Sequence, residues 1–253
     1  MQPLFLISDI HAGIRHDADD PARLADFVQV LERARAEGSE LCILGDLFDF
    51  WFEWREVLPS RHLPWLAALL RAVEGGLAIS ILPGNHDFRL GGLLETRLAL
   101  RHPGDWERRT ALGGQIVLHH GDGLDPAERG YRLMRRVFRS NWAQWAFRWL
   151  HPDLGMRVAD WAGAGDRTHV WSRAELTAYL KRGLPLLLQP EDRLLAMGHV
   201  HVAARFLWDS TVVGTLPPFV HKSRGFCIWD GERLSFEYLR PELAPALLEE
   251  RLR

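Results

Sequence analysis

The chain has 253 residues, enough for one large domain or for a domain with an insertion. Hydrophobic residues make up 47% of it and charged residues 25%, an ordinary globular composition that excludes fibrous, disulfide-stabilised miniature and wholly disordered proteins. With 31 basic and 33 acidic side chains the formal net charge is −2. This balance gives no global electrostatic attraction for nucleic acid, which is therefore not expected as a partner.

The two cysteines, Cys42 and Cys227, each lie within an apolar run. This pattern indicates buried thiols in a reducing compartment rather than a disulfide framework. No uncharged apolar run reaches the roughly 18 residues that a membrane-spanning helix needs, and the N-terminal MQPLFLISD lacks the basic region of a signal peptide. We therefore expect a cytoplasmic protein.

The first half of the chain alternates between predicted strands and helices. Short apolar runs predict strands at 4–8, 41–44 and 77–82. Helical spacing predicts one helix with Asp20 as N-cap, Pro21 at N1 and Gly38 after its end, and another over about 60–74. Such alternation predicts a parallel sheet with right-handed crossovers, in which ligands bind at the carboxyl ends of the strands.

The second half begins with a predicted strand at 115–120. Residues 125–168 then show helical periodicity without a strand signal, and we interpret them as a helical insertion between two core segments, 1–124 and 169–240. A capping box of Ser172 and Glu175 predicts another helix, and the short apolar runs after it predict antiparallel strands. In the tail, 241–253, a proline and the leucine spacing predict a short helix.

Five polar clusters follow the apolar runs, and each offers oxygen or imidazole ligands. They are Asp9-x-His11, Gly45-Asp46, Gly84-Asn85-His86-Asp87, His120-Gly121-Asp122 and Gly198-His199-x-His201. One such motif alone is more often a loop with a satisfied histidine, but five in this order are hard to produce by chance. Glycines let the backbone leave a strand sharply, so that neighbouring ligands face a shared centre.

The ligand types narrow the choice of metal. Asp, Asn and His without cysteine suit Mn, Fe, Zn or Co in an open site, whereas a structural zinc site would use thiolates. The candidate ligands are too many for one ion, and a shared carboxylate predicts two ions roughly 3.5–4 Å apart. Such a pair activates water and binds a phosphate.

The blocks DIHAG, GDLFDFW, GNHDF, HHGD and GHVH together resemble those of the calcineurin-like metallophosphoesterases, and the resemblance covers residues 4 to about 239. It implies an α/β (α+β) fold, a β-sandwich flanked by helices, with 125–168 as a helical lid. Two divalent ions, with Mn²⁺ preferred and Fe, Zn or Co as alternatives, are implied as cofactors. Carried over motif by motif, one ion is held by Asp9, His11 and His201, the other by Asn85, His120 and His199, and Asp46 bridges them.

The same resemblance implies that His86 protonates the leaving oxygen or steadies the phosphate, and that Asp87 orients it. His119 competes with His120 as the ligand of the fourth block, because alternation along a strand directs only one of them to the metals. We choose His120, which precedes Gly121 as the histidine of the family does. The remaining histidines are expected to be surface or packing residues.

Within the superfamily the chain is most similar to the UDP-2,3-diacylglucosamine hydrolases of the lipid A pathway. GDLFDFW, and HGD followed by Gly130-Tyr131, carry that similarity. It implies attack on the pyrophosphate of a nucleotide-linked lipid, with release of UMP and an acyl-sugar phosphate. The chain departs from the main branch of these enzymes at His86, where they carry Arg.

The predicted insertion is basic and aromatic. From Tyr131 to Arg148 it contains five arginines and no acid, interleaved with Phe and Trp. Such helices can lie on anionic membranes, which is compatible with peripheral contact at the inner face of a membrane, or can bind acyl chains. The same residues also fit the packed face of a helical pair. We expect the substrate to contact Tyr131, Arg132, Arg135, Trp142 and Arg157.

Two alternatives remain open on the sequence. The same metals could serve a phosphodiesterase or pyrophosphatase for a soluble nucleotide or phosphodiester, which a polar lid would favour. A non-catalytic scaffold on the same fold is the second, although scaffolds lose site histidines and all motif positions are intact here. The oligomeric state has no visible signature.

Overall fold

The structure, a computed structural model, describes residues 2–87, 89–163 and 171–253. The strands are β1 (Leu4–Ile7), β2 (Glu40–Leu44), β3 (Ala78–Leu82), β4 (Trp106–Ala111), β5 (Gly114–His119), β6 (Asp192–Met197), β7 (Ala204–Trp208), β8 (Thr211–Thr215), β9 (Gly225–Trp229), β10 (Leu234–Tyr238) and β11 (Leu248–Arg251). The helices are α1 (Asp20–Ala36), α2 (Leu63–Glu74), α3 (Gly92–Thr96), α4 (Arg129–Arg139), α5 (Asn141–Arg148), α6 (Pro152–Gly163) and α7 (Arg173–Leu187). In the described part of the chain, no helix is long and apolar enough to cross a membrane.

The first sheet has the strand order β10-β9-β1-β2-β3. β1, β2 and β3 are parallel, as the alternation of strands and helices predicts, and β9 and β10 extend the sheet in antiparallel fashion. Side chains alternate along β1: Phe5 and Ile7 pack in the cluster that includes α1 and α2, whereas Leu4 and Leu6 pack on the opposite face.

The second sheet has the order β11-β7-β8-β6-β5-β4. The prediction of an antiparallel second half is wrong for its centre, because β6 is parallel to both β5 and β8. The helices between β5 and β6 form a crossover long enough to bring the chain back to the same end of the sheet, which a short hairpin cannot do. The outer pairs β4·β5 and β7·β8 are antiparallel.

The two sheets pack face to face between helices. One apolar cluster contains residues of both sheets, among them Leu6 and Leu118. A second cluster joins the first sheet to α1 and α2, and a third joins the second sheet to α7. The predicted α/β class, a β-sandwich flanked by helices, is therefore confirmed.

Some local predictions differ from the structure. β4 was not expected because WERRTA lacks apolar alternation, and its partly exposed pattern is that of an edge strand. The helix predicted for 241–253 is wrong: only a 3₁₀ turn, Pro241–Leu243, forms, and β11 then pairs with β7. Pro245 interrupts helical hydrogen bonding, and the open edge of β7 offers backbone partners.

The helices α4, α5 and α6 lie between β5 and β6, over the range expected for the insertion. The predicted end of that insertion at 168 lies outside the described residues, and the division into domains stays a prediction. Asp20 is not the N-cap of α1, as predicted, but its first residue; Asp19 is at the cap position and makes no side-chain cap bond. The Asp20 carboxylate instead accepts from Gly13 N, at 2.9 Å.

Candidate metal centre

All five polar clusters meet at the carboxyl ends of parallel strands. Asp9 and His11 follow β1, Asp46 follows β2, and Asn85 follows β3. The other two clusters lie beyond β5 and β6 in the second sheet. Because the sheets face each other, these loops converge on one centre above the sandwich, where most of the predicted ligands are buried.

The ligand loops have an unusual backbone. Five predicted ligands have positive φ angles between 48° and 69°, namely Asp9, His11, Asp46, His199 and His201. Non-glycine residues rarely adopt this left-handed conformation, which tends to persist where surrounding bonds enforce it, often at functional sites. Here the backbone N–H groups of Ile10 and His11 both donate to the Asp46 carbonyl, at 2.9 and 3.0 Å.

Close approach explains the glycine before Asn85. A Cβ atom on Gly84 would lie 2.1 Å from Oδ1 of Asp46, well inside van der Waals contact. Any side chain at position 84 would therefore displace the carboxylate that the sequence predicts to bridge the two ions.

Carboxylate and imidazole groups lie within coordinating reach of one another. Nε2 of His201 is 3.2 Å from Oδ1 of Asp9. Oδ2 of Asp46 is 3.7 Å from Nε2 of His11 and 3.5 Å from Nε2 of His120. Potential ligand atoms of Asp9, His11 and His201 lie within 4.8 Å of one another, as do those of Asp9, Asp46 and His120.

The Asn85 amide joins the remaining imidazoles. Its Oδ1 lies 3.0 Å from Nε2 of His120 and 2.9 Å from Nδ1 of His199. The Nδ1 atom of His120 lies 2.7 Å from the Leu44 carbonyl, which can only accept, so the ring donates there and Nε2 is directed to the centre. This orientation suits a metal ligand.

The electrostatics of the cluster favour a cation. Burial alone would lower the pKa of His120, but the negative charge of Asp46 raises it to about 10. Burial would raise the pKa of Asp9, but the charge of His201 and its hydrogen bond lower it to about 2. The carboxylates thus stabilise positive charge at the imidazole positions, and divalent ions would supply it on displacing the protons.

His11 provides a direct test of whether metal ions fit. Both of its ring nitrogens are buried, and neither makes a hydrogen bond among the described residues: Nδ1 is 3.6 Å from Oδ1 of Asp49, and Nε2 is 3.7 Å from Oδ2 of Asp46. Leaving buried polar atoms unpaired is unfavourable, and a bound ion would satisfy one of them. The donor set of carboxylates, imidazoles and one amide oxygen, without thiolates, fits divalent ions such as Mn²⁺.

His86 lies beside this centre, and its Nδ1 is 2.8 Å from the Asp49 carbonyl. The prediction that Asp87 orients His86 is wrong. The Asp87 carboxylate accepts instead from the backbone N–H groups of Leu47, at 2.8 Å, and Gly84, at 2.7 Å. Asp87 therefore shapes the Asp46 loop, and Asp49 orients the His86 ring.

The choice between the two neighbouring histidines agrees with the packing. His119 ends β5, and its Nδ1 accepts from Gly121 N at 2.7 Å, while His120 faces Asp46 and Asn85. Burial lowers the pKa of His119 to about 4, so it is a neutral packing residue near neutral pH.

Two cavities share a wall at the centre. The first, about 290 Å³, is lined by Asp46, Asn85, His86, Glu128, Tyr131, Trp171, His199 and His201. The second, about 310 Å³, has mostly aromatic and aliphatic walls under the insertion helices, among them Phe50, Phe52, Met134, Phe138, Phe147 and Val158. Asn85, His86 and Tyr131 line both. A polar cluster therefore opens beside an apolar chamber.

The insertion is attached to the core on both sides of that chamber. The Phe147 ring on α5 packs 4.8 Å from Phe52, measured between ring centroids, and 5.7 Å from Phe50. On α4, the Tyr131 hydroxyl donates to the buried Asp122 carboxylate at 2.7 Å, and Nε of Arg135 lies 3.0 Å from it. Asp122 follows His120 by two residues, so α4 is tied directly to the metal loop.

The residues predicted to bind substrate are dispersed. Tyr131 lines both cavities and Arg135 lines the apolar one. Arg132 is exposed on α4, and Trp142 is 71% exposed on α5. Arg157 lines a separate, shallower cavity with Arg15 and Arg61. Their roles toward a substrate stay predictions.

Sequence reasoning missed several residues of the site. Asp49 lies in the block GDLFDFW and was identifiable from it, as was Asp122 in HHGD. Glu128 and Trp171 line the polar cavity, but neither belongs to a recognisable motif.

Comparison with known proteins identifies the family. The sequence model described as Calcineurin-like phosphoesterase matches residues 3–203, most of the chain. The chain belongs to the calcineurin-like phosphoesterase family. It is accordingly a phosphoesterase by family, and the family implies divalent metal ions, for which the described residues offer ligand groups.

Individual relatives carry a more specific name. The UDP-2,3-diacylglucosamine hydrolase of Aeromonas salmonicida (strain A449) is 31% identical over 85% of this chain and 82% of the relative. The UDP-2,3-diacylglucosamine hydrolase of Porphyromonas gingivalis (strain ATCC BAA-308 / W83) is 32% identical over 59% of this chain, which spans only 57% of that relative. A hypothetical protein from Pyrococcus horikoshii OT3 has a TM-score of 0.49 and 12% identity, over 95% of this chain and 88% of its own.

Proposed function

We propose that this phosphoesterase cleaves the pyrophosphate of UDP-2,3-diacylglucosamine, or of a similar lipid-linked UDP-sugar, to UMP and an acyl-sugar phosphate. The observation that carries this proposal is the shared wall between the polar cavity and the apolar chamber. A substrate with a charged pyrophosphate next to acyl chains needs those two environments side by side. The relatives named UDP-2,3-diacylglucosamine hydrolase support the same substrate.

In this proposal Asp9, His11 and His201 would hold one divalent ion and Asn85, His120 and His199 the other, and Asp46 would be a ligand shared by both. Manganese is the preferred ion, with Fe, Zn or Co as alternatives. When bound, two such ions would supply neutralisation of phosphate charge and a lowered pKa for the attacking water.

In this proposal the protein side chains orient the substrate and supply the proton for the leaving oxygen. The Asp49 carbonyl accepts from Nδ1 of His86, so that Nε2 is the ring atom available to the leaving oxygen. The ring would give a proton from Nε2 as the imidazolium, in which both nitrogens carry a proton. Rings of Phe50, Phe52 and Phe147 in the apolar chamber would exclude water and receive acyl chains. Tyr131 and Arg135 would stand between the two environments, held there by Asp122.

We also propose that the outward face of the insertion contacts an anionic lipid surface. Trp142, Trp145 and Trp149 are 71%, 59% and 75% exposed, and Leu133 is 60% exposed. Arg132, Arg136 and Arg148 are exposed on the same two helices, α4 and α5. Exposed tryptophans with arginines and no acids match the headgroup region of an anionic membrane.

The substrate test compares UDP-2,3-diacylglucosamine, the deacylated UDP-sugar and an aryl phosphodiester with the manganese-loaded protein. We expect UMP release from the acylated and not from the deacylated UDP-sugar, whereas the activated aryl diester, which needs no acyl contact, reports the metal centre alone. Turnover of the aryl diester without the UDP-lipid would retain the hydrolase and reject this substrate in favour of a soluble phosphodiester. No turnover of any of them would favour the scaffold.

The membrane test is sedimentation with vesicles of phosphatidylcholine, with and without phosphatidylglycerol. We expect binding only when the anionic lipid is present, and its loss in Trp142→Ser/Trp149→Ser. Trp106→Ser is the matched control, because Trp106 is 41% exposed on β4, outside the insertion. Equal binding by all three proteins would reject the proposed surface.

A further inference from the structure

Two arginines are completely enclosed beside the candidate metal centre, although neither belongs to a predicted motif. Arg23 on α1 is 1% exposed, and Arg224, just before β9, is 0% exposed. Arginine is almost never fully buried unless it is paired, because removing a guanidinium from water is costly. What each pairs with is therefore informative.

Arg23 contacts the loop that carries the first two predicted ligands. Its guanidinium donates to the His11 carbonyl at 3.1 Å, to Asp17 at 2.7 Å and to Asp20 at 2.6 Å. Asp20 also accepts from the backbone of Gly13 at 2.9 Å. The His11 end of the Asp9–His11 loop is thus hydrogen-bonded to the first turn of α1.

Arg224 supports the Asp9 end of the same loop indirectly, through Val220. It donates to the carbonyls of Val220, at 3.0 Å, and His221, at 2.8 Å, and to the carboxylates of Asp19 and Asp26. The Val220 N–H in turn donates to the Asp9 carbonyl at 2.8 Å.

We propose that Arg23 and Arg224 are positioning residues of the metal centre, which hold the left-handed backbone of Asp9 and His11 through main-chain carbonyls. The φ angles of these two ligands, 55° and 48°, are unfavourable for residues with side chains and need external bonds to persist. Arg23 bonds the loop directly and Arg224 bonds it through Val220. Aspartates in α1 and just before it hold the two guanidinium groups. Mutation of residues that orient metal ligands commonly changes metal affinity about 10- to 100-fold.

This inference rests on the proposed ligand set and not on the proposed substrate, so it is tested without substrate. The metal-stripped full chain is titrated with Mn²⁺ by calorimetry, and the Co²⁺-loaded protein is examined by visible absorption spectroscopy, which reports ligand geometry. For Arg23→Met and Arg224→Met we expect Mn²⁺ binding to weaken about 10- to 100-fold and the Co²⁺ bands to shift. Arg23→Lys retains one charged donor and is expected to recover part of the affinity.

The matched control is Arg33→Met. Arg33 also lies on α1 and pairs with Glu37 and Glu237, but these contacts are distant from the ligand loops. It is expected to lower stability without moving the Mn²⁺ affinity. If Arg23→Met does not fold, Asp20→Asn weakens the same attachment with little change of shape and is expected to weaken Mn²⁺ binding in the same direction.

Folded variants at both arginines with the Mn²⁺ affinity and Co²⁺ spectrum of the wild type would overturn the inference. A wild type that binds no Mn²⁺ or Co²⁺ would instead overturn the ligand set, and the positioning role with it. Failure of the substrate proposal alone leaves these measurements unchanged, so the outcomes are distinguishable.

Discussion

The Nδ1 atom of His86 lies 2.8 Å from the main-chain oxygen of Asp49. A carbonyl only accepts, so Nδ1 carries a proton and Nε2 is the ring nitrogen left for substrate. Because a backbone atom makes the shorter contact, the orientation of His86 depends chiefly on the course of the loop after Asp46; the Asp49 carboxylate is farther, at 3.9 Å from Nδ1.

His86→Ala is expected to retain metal and to lower kcat about 10²- to 10⁴-fold, the usual contribution of a positioned proton donor. Turnover of the activated aryl phosphodiester is expected to fall less, because its leaving group needs no proton. Metal content by mass spectrometry and kcat on both substrates check this. Loss of metal from the purified variant would make His86 a ligand instead.

Asp46→Ala is expected to remove the carboxylate shared by both predicted ion sites and to lower turnover by orders of magnitude. Asp46 also accepts from His86 N at 2.9 Å, so Asp46→Asn, which keeps an acceptor, separates loss of charge from loss of this bond. Both variants should lose bound metal. Asp209→Asn, at a half-exposed carboxylate that pairs with Arg253 in the tail, is the control. Activity retained by Asp46→Ala would contradict the bridging role.

Phe147→Ala is expected to raise KM for the acylated substrate more than KM for the aryl phosphodiester. Phe147 joins α5 to Phe50 and Phe52 and lines the apolar chamber, so its loss both opens the chamber and removes apolar contact. Leu186→Ala, 70% exposed on α7 and outside both cavities, should leave both constants near wild type. Equal increases for the two substrates would argue against acyl binding in this chamber.

The sequence predicted most of the site because its signals are local. Asp9, Asp46 and Asn85 each follow an apolar strand directly, and parallel strands bring such positions to one edge. Contacts between distant segments left no such signal. Nothing in the sequence pairs Arg224 with α1, and the apolar spacing of the tail is compatible with helix or strand until the edge of β7 is known.

Stability is expected to fall in acid through His62. Burial, followed by the charge of Arg61, lowers the pKa of His62 to about 3, and both ring nitrogens lack hydrogen-bond partners among the described residues. The unfolded chain binds a proton at His62 below a pKa near 6.5, whereas the folded chain does so only near pH 3. Protonation therefore costs the folded state no stability above pH 6.5. Stability is lost as the pH falls from there toward 3, by about 1.4 kcal/mol per pH unit.

Urea unfolding of the wild type and His62→Leu at pH 7, 6 and 5 measures this loss. Leucine does not titrate, so the unfolding free energy of the wild type should fall relative to that of His62→Leu by about 1.4 kcal/mol per pH unit below 6.5. Parallel stability curves for the two proteins would show that His62 is not the titrating group.

Leu252→Ala is expected to destabilise the fold by about 2–3 kcal/mol, although it is the penultimate residue. Leu252 is 8% exposed, packs in the cluster with Phe206 and Trp208, and its N–H donates to the Leu207 carbonyl at 2.9 Å. Leu243→Ala is the matched control, because Leu243 is 50% exposed in the same tail and should cost about 0.5 kcal/mol or less. Urea denaturation compares the two, and equal midpoints would mean that the terminal strand contributes nothing to the sandwich.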